Sequence, residues 1–156
     1  TGWQVSLIAR AISGPWVSVV SGVDNALTGT SDQYPNINGT PYSANKGVES
    51  GVWLNRAAFS QPATGTYGNM SARSILAPGN VTFDMSLARS FKLREKVAFM
   101  VRAEAFNFMN HTNPGNRLAG DAFASGIDLT MTSPNFGKLV SAADPRIMQV
   151  AAKLTF

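Results

Sequence analysis

The sequence predicts an all-β fold of antiparallel strands that cross a membrane as part of a barrel. Three observations carry this reading. Four segments of about ten residues alternate apolar and polar side chains, the pattern of a strand with two unlike faces. Charged residues make up only 14% of the 156, against about 25% in an ordinary soluble domain. The connections between the four segments are also of two kinds, two very long and one very short.

The first strand is expected over 3–11. Trp3, Val5, Leu7, Ala9 and Ala11 share one face, and Gln4, Ser6, Ile8 and Arg10 the other. Ser13, Gly14 and Pro15 then break the run, and 16–20 could extend it briefly. From 13 to 79 the sequence reads as loop. Turn formers recur in it, among them Asp24-Asn25, Pro35-Asn36, Asn38-Gly39 and Pro78-Gly79. Val52-Trp53-Leu54 and Ala57-Ala58-Phe59 are apolar islands able to pin it. A structureless loop of that length argues against a compact soluble domain. Outer-membrane barrels do carry long external loops.

The second strand is expected over 81–91. Val81, Phe83, Met85 and Leu87 lie on one face, with Phe91 beyond them and Arg89 as the exception. The charged run 92–96 reads as a turn. The third strand, 97–106, sets Val97, Phe99, Val101, Ala103 and Ala105 against Ala98, Met100, Arg102 and Glu104. Pairing across a five-residue turn puts Asp84 opposite Glu104 and Ser86 opposite Arg102, so the polar faces coincide. Arg102 could then neutralise both carboxylates. A second loop covers 107–145, with a short strand possible at 136–142. The last strand, 146–156, alternates Met148, Val150, Ala152, Leu154 and Phe156 with Ile147, Gln149, Ala151, Lys153 and Thr155. Its length suits a tilted spanning strand of roughly 9–11 residues.

If the last strand runs toward the periplasm, the 92–96 turn is periplasmic and both long loops are extracellular. Four strands cannot close, because single-chain barrels have at least eight strands and an open edge is forbidden in hydrocarbon. The expectation is therefore a piece of a larger barrel. A soluble extracellular β-sandwich binding a glycan is the alternative.

Composition narrows the chemistry. The chain has no cysteine, which excludes disulfide frameworks, thiolate metal sites and cysteine nucleophiles. The net charge of +4 is scattered, with no Lys/Arg run to suggest nucleic acid. No apolar run reaches the length of a spanning helix. No signal-peptide pattern is present, so export implies a leader elsewhere or already removed. His111 is the single histidine and lacks companions for a metal site. Asp121 and Asp128 could touch calcium, but without the spacing of an EF-hand. The loop aromatics Tyr34, Tyr42, Trp53 and Tyr67 could stack on a ligand or simply pack the loops. Gly65 to Gly68 lacks the lysine of a phosphate loop. Asp84, Arg102 and Glu104 could be read as an acid–base cluster; the preferred reading makes them residues of a wet barrel lumen. No catalytic residue, cofactor or metal is expected, and the chain is not expected to be an enzyme.

Several blocks resemble one family. They are Arg102-Ala103-Glu104-Ala105-Phe106-Asn107-Phe108-Met109-Asn110-His111, Ser133-Pro134-Asn135-Phe136-Gly137, and Asp144-Pro145-Arg146-Ile147-Met148-Gln149 with the ending Lys153-Leu154-Thr155-Phe156. Trp3-Gln4-Val5-Ser6, Gly65-Thr66-Tyr67-Gly68-Asn69 and Phe83-Asp84-Met85-Ser86-Leu87-Ala88 fit the same pattern. Together they resemble the C-terminal end of Oar-like TonB-dependent outer-membrane receptors, over nearly the whole chain. The resemblance implies a 22-stranded barrel of which these are the last four strands, in the outer membrane of a Gram-negative bacterium. It implies a plug domain outside this chain and transport energised through TonB by that missing N-terminal part. Outer-membrane lipid, the rest of the barrel and the barrel-assembly machinery are the implied partners. Phe156, Leu154, Ala152, Val150 and Met148 resemble the signal that the assembly machinery reads. Asp84, Ser86, Arg102, Glu104, Gln149 and Lys153 are the polar residues expected to face the lumen.

Overall fold

The computed structural model describes residues 2–115 and 125–156. Its strands in chain order are β1 (Trp3–Ile12), β2 (Trp16–Val17), β3 (Asn36–Ile37), β4 (Tyr42–Gly47), β5 (Val52–Leu54), β6 (Phe59–Ser60), β7 (Ile75–Leu76), β8 (Asn80–Arg94), β9 (Val97–Phe106) and β10 (Ile147–Thr155). A 3-10 turn, Arg56–Ala58, precedes β6. The chain divides into two units. One comprises Thr1–Ile12, Asn80–Thr112 and Asp144–Phe156; the other comprises Ser13–Gly79 and Asn113–Ala143.

The first unit is an antiparallel sheet in the order β1-β8-β9-β10. Side chains alternate across every strand, and the registers keep like with like. One face carries the rows Val5–Leu87–Ala103–Val150 and Leu7–Met85–Ala105–Met148. The other carries Ser6–Ser86–Glu104–Gln149 and Gln4–Ala88–Arg102–Ala151. A slip of one residue would mix the two sets, so the pattern itself fixes the register. Every residue of β1 and of β10 is exposed, including Leu7 at 62% and Val150 at 76%. A soluble sandwich needs one face covered by a second sheet. Among the described residues of this unit no second sheet occurs.

Two details differ from the sequence expectation. Lys92, Leu93 and Arg94, the first three residues of the charged run, belong to β8, and the turn to β9 is the pair Glu95–Lys96. Charge does not end a strand whose backbone still has a partner. With the shorter turn, Ser86 lies opposite Glu104 and Ala88 opposite Arg102. The expected pairs, Asp84 with Glu104 and Ser86 with Arg102, are thus displaced by an even step. Parity survives, so the polar faces still meet. A bulge falls between the Lys92–Ala98 and Arg94–Val97 pairs.

The second unit is the larger departure, because the expected loop 13–79 is a folded body. It contains the strand pairs β2–β7 and β3–β6 and the hairpin β4–β5. Its core joins Val19, Leu54, Phe59, Met70, Ile75, Ile127, Met131 and Phe136. Phe59 and Phe136 meet edge to face with centroids 5.3 Å apart, a favoured aromatic geometry. The Arg56 guanidinium donates to the carbonyls of Met131 and Ser133, each at 3.2 Å, and sits over the Phe136 ring. Gly68 passes so close to the Tyr34 and Pro35 carbonyls that a Cβ would lie 2.3 Å from their oxygens; only glycine permits that approach. The strand expected at 136–142 is instead a set of isolated bridges, Val52 with Lys138, Ile127 with Leu139, and Pro114 with Ala142. The segment lies among three different neighbours, so no single ladder can form.

Candidate functional site: the polar face of the sheet

The polar face is the part of the first unit with chemistry. Ser6, Asp84, Ser86, Arg102 and Glu104 border a shallow hollow of about 120 Å³, with Ile8, Met85 and Phe106 completing its lining. Strand alternation brings the five polar residues together, since each sits at a polar-parity position of its strand. Glu104, with 18% of its side chain exposed, forms an ion pair with Arg102 and accepts from the Gln149 amide. The Glu104 carboxylate thus links two neighbouring strands, β9 through Arg102 and β10 through Gln149. Lys153 lies apart, opposite Met100.

Asp84 does not share Arg102. Its Oδ1 accepts the backbone N–H of Asn107 at 2.9 Å. Asn107 is 6% exposed and left-handed, with φ 49°. Its Oδ1 accepts the His111 N–H at 3.0 Å, and its amide donates to the His111 carbonyl at 2.9 Å. Asparagine tolerates this backbone conformation and bridges turns with its own side chain. The pair Asp84–Asn107 therefore ties off the end of β9. Sequence reading assigned Asn107 no role; an asparagine directly after a strand was the available signal.

The other candidates resolve as turn chemistry. Asp128, 8% exposed, accepts the Thr130 N–H at 3.1 Å and the Ser133 hydroxyl at 2.5 Å. No group of three or more potential metal ligands occurs among the described residues. Asp121 lies outside the described residues. Trp53 donates its indole N–H to Leu76 O at 3.0 Å, and the Tyr42 hydroxyl accepts the Leu76 N–H at 2.9 Å. Lys46 rests over both rings. Tyr34 packs against the core, and Tyr67 is exposed. Near Asp24, the backbone N–H groups of Thr28 and Gly29, with Gln33 and the Thr28 hydroxyl, hold the carboxyl below the usual carboxylate range. A wide hollow of about 720 Å³ in the second unit is bordered by Trp16 and Arg73.

On the opposite face, Met148, Val150, Ala152 and Leu154 form one exposed apolar row, and Phe156 follows at 94% exposure. A sheet with one long apolar face, one polar face and strands of nine to fifteen residues has the make-up of a membrane barrel wall, lipid on one side and lumen on the other. The model of a family described as an outer membrane beta barrel domain matches residues 1–149, and the chain belongs to that family. Its place is the bacterial outer membrane. Among curated proteins and among solved structures no match was found.

Proposed function

We propose that the chain is the C-terminal part of a TonB-dependent receptor barrel, supplying its last four strands of 22, lumen wall and two extracellular segments for substrate uptake. The observation that carries this is the connectivity of the sheet. Both long insertions, 13–79 and 113–143, arise at one end of the strands, and the two-residue turn Glu95–Lys96 closes the other. Short turns belong to the periplasmic rim of such barrels and long segments to the outside. The block resemblance across 102–111, 133–137 and 144–156 supports the receptor assignment.

The chain does no covalent chemistry in this reading. Glu104 is held by Arg102 and Gln149, and Asp84 by the Asn107 N–H, so both carboxylates serve to hold strands together. The polar face then lines the lumen beside the plug. The test uses the full protein that contains this chain. Purified in detergent, it should bind the isolated periplasmic domain of TonB through its plug-side segment. Absence of binding would remove the receptor assignment and leave the outer-membrane barrel.

The apolar row Met148, Val150, Ala152, Leu154 and Phe156 is proposed as the stretch read during barrel assembly. Deleting Phe156 should lower the amount of folded protein in the outer membrane several-fold while synthesis continues. An undiminished outer-membrane level would sink this role.

A further inference from the structure

We infer that Arg89, flanked by Trp3 and Phe91, is a binding site for the phosphate of an anionic glycerophospholipid, with Arg94 as a second donor. The inference rests on reading the apolar face as the lipid-facing one and the Glu95–Lys96 end as periplasmic.

The apolar face is uncharged from end to end in β1, β9 and β10, and in β8 apart from Arg89 and Arg94. A guanidinium is costly in the middle of the hydrocarbon and tolerable only near the interface. Both arginines lie toward the strand end that turns through Glu95–Lys96. Arg89 is directly opposite Trp3. Its guanidinium carbon is 4.8 Å from the Trp3 ring centre and 4.7 Å from that of Phe91. Phe91 in turn stacks on Phe99 with centroids 6.3 Å apart. Both rings lie within cation–π reach of the guanidinium, and among the described residues no protein acceptor takes its N–H fork. That fork matches two phosphate oxygens.

The bulge supplies the second cation. Lys92 pairs with Ala98 on the polar face, yet Arg94 pairs with Val97 on the apolar one. The extra residue between them turns Arg94 across the sheet, as bulges do when they redirect a side chain. Without it Arg94 would join Lys92 toward the lumen. The ion pair formed among the described residues, Arg102–Glu104, lies on the other face and neutralises neither arginine. Lys92, Arg94 and Lys96 outnumber Glu95 at this end, which favours a headgroup with net negative charge over a zwitterion. The periplasmic leaflet is the phospholipid one, so the occupant is a glycerophospholipid.

The full protein is reconstituted into nanodiscs of phosphatidylcholine containing phosphatidylglycerol, then released gently for native mass spectrometry. The wild type should retain phosphatidylglycerol in preference to phosphatidylcholine. Arg89→Gln should lower that retention several-fold, Arg89→Lys should restore part of it, and Arg10→Gln on the polar face should leave it unchanged. Equal retention by the wild type and Arg89→Gln overturns the site, as does preferential retention of added lipopolysaccharide. Spin labels on Val5→Cys and Ser6→Cys variants probe the underlying reading separately. Oxygen should relax the first and a water-soluble nickel chelate the second; the reverse result overturns the assignment of faces, whatever Arg89 binds.

Discussion

Replacing Leu7 by arginine should keep the barrel from folding into a bilayer, and replacing the adjacent Ser6 by arginine should not. Leu7 stands in the row Leu7–Met85–Ala105–Met148, near the middle of β1 and 62% exposed. In a barrel wall that exposure is to lipid. Arginine at mid-bilayer on the lipid face costs about 2–4 kcal/mol, which is roughly thirtyfold or more in the folding equilibrium at 1.4 kcal/mol per tenfold. Ser6 is one residue away and points to the other face, beside Ser86 and within the hollow that Glu104 borders. An added cation there meets water and a carboxylate, and its cost should stay within about 1 kcal/mol for an exposed charge pair. The measurement is the folded fraction of the full protein in vesicles across a urea series, read by resistance of the folded band to unheated detergent. Equal losses at the two positions would show that the sheet does not have one lipid face and one wet face.

That contrast depends on parity, and parity is what the sequence carried best. The apolar and polar sets of β1, β8, β9 and β10 can be read from alternation alone, because each strand is long enough for a period of two to repeat several times. The pairing partners could be read only to within an even step. Asp84 and Glu104 were expected to face each other, but the real turn is Glu95–Lys96, so Ser86 takes that place. A run of charges marks water, not the end of a hydrogen-bond ladder, so it does not set the length of a turn. The second unit was hidden for the opposite reason. Its strands β2, β3, β6 and β7 are two residues long, too short for any period to show. Its core is assembled from residues as far apart in sequence as Val19, Leu54, Ile75 and Phe136, and tertiary contacts of that kind leave no local trace. Trp53 and Tyr42 looked available for a ligand, yet both are bonded to Leu76. Exposed aromatic count in a sequence cannot separate these uses.

Phe136→Ala should open the second unit while the four-stranded sheet stays intact. Phe136 is 4% exposed and packs edge to face on Phe59, itself 6% exposed, with the Arg56 guanidinium 5.8 Å from its ring centre. Removing a buried phenylalanine ring costs about 3–5 kcal/mol, part of it lost transfer and part the cavity left behind. Collapse around the cavity is resisted by Gly137, whose carbonyl accepts the N–H groups of both Trp53 and Leu54 at 2.8 and 3.0 Å. Those two amides report the opening directly. Their hydrogen exchange should speed up in Phe136→Ala, whereas amides within β8 and β9 should exchange as in the wild type. Phe136→Leu keeps most of the volume, and a swap of that kind costs less than about 1.5 kcal/mol, so its acceleration should be much smaller. The reasoning is that the core of the second unit is drawn entirely from its own residues, so losing one of its rings removes nothing from the β8–β9 ladder. Faster exchange in β8 and β9 together with Trp53 and Leu54 would mean that the two units melt as one, and the mutation would then also lower the folded fraction in the membrane.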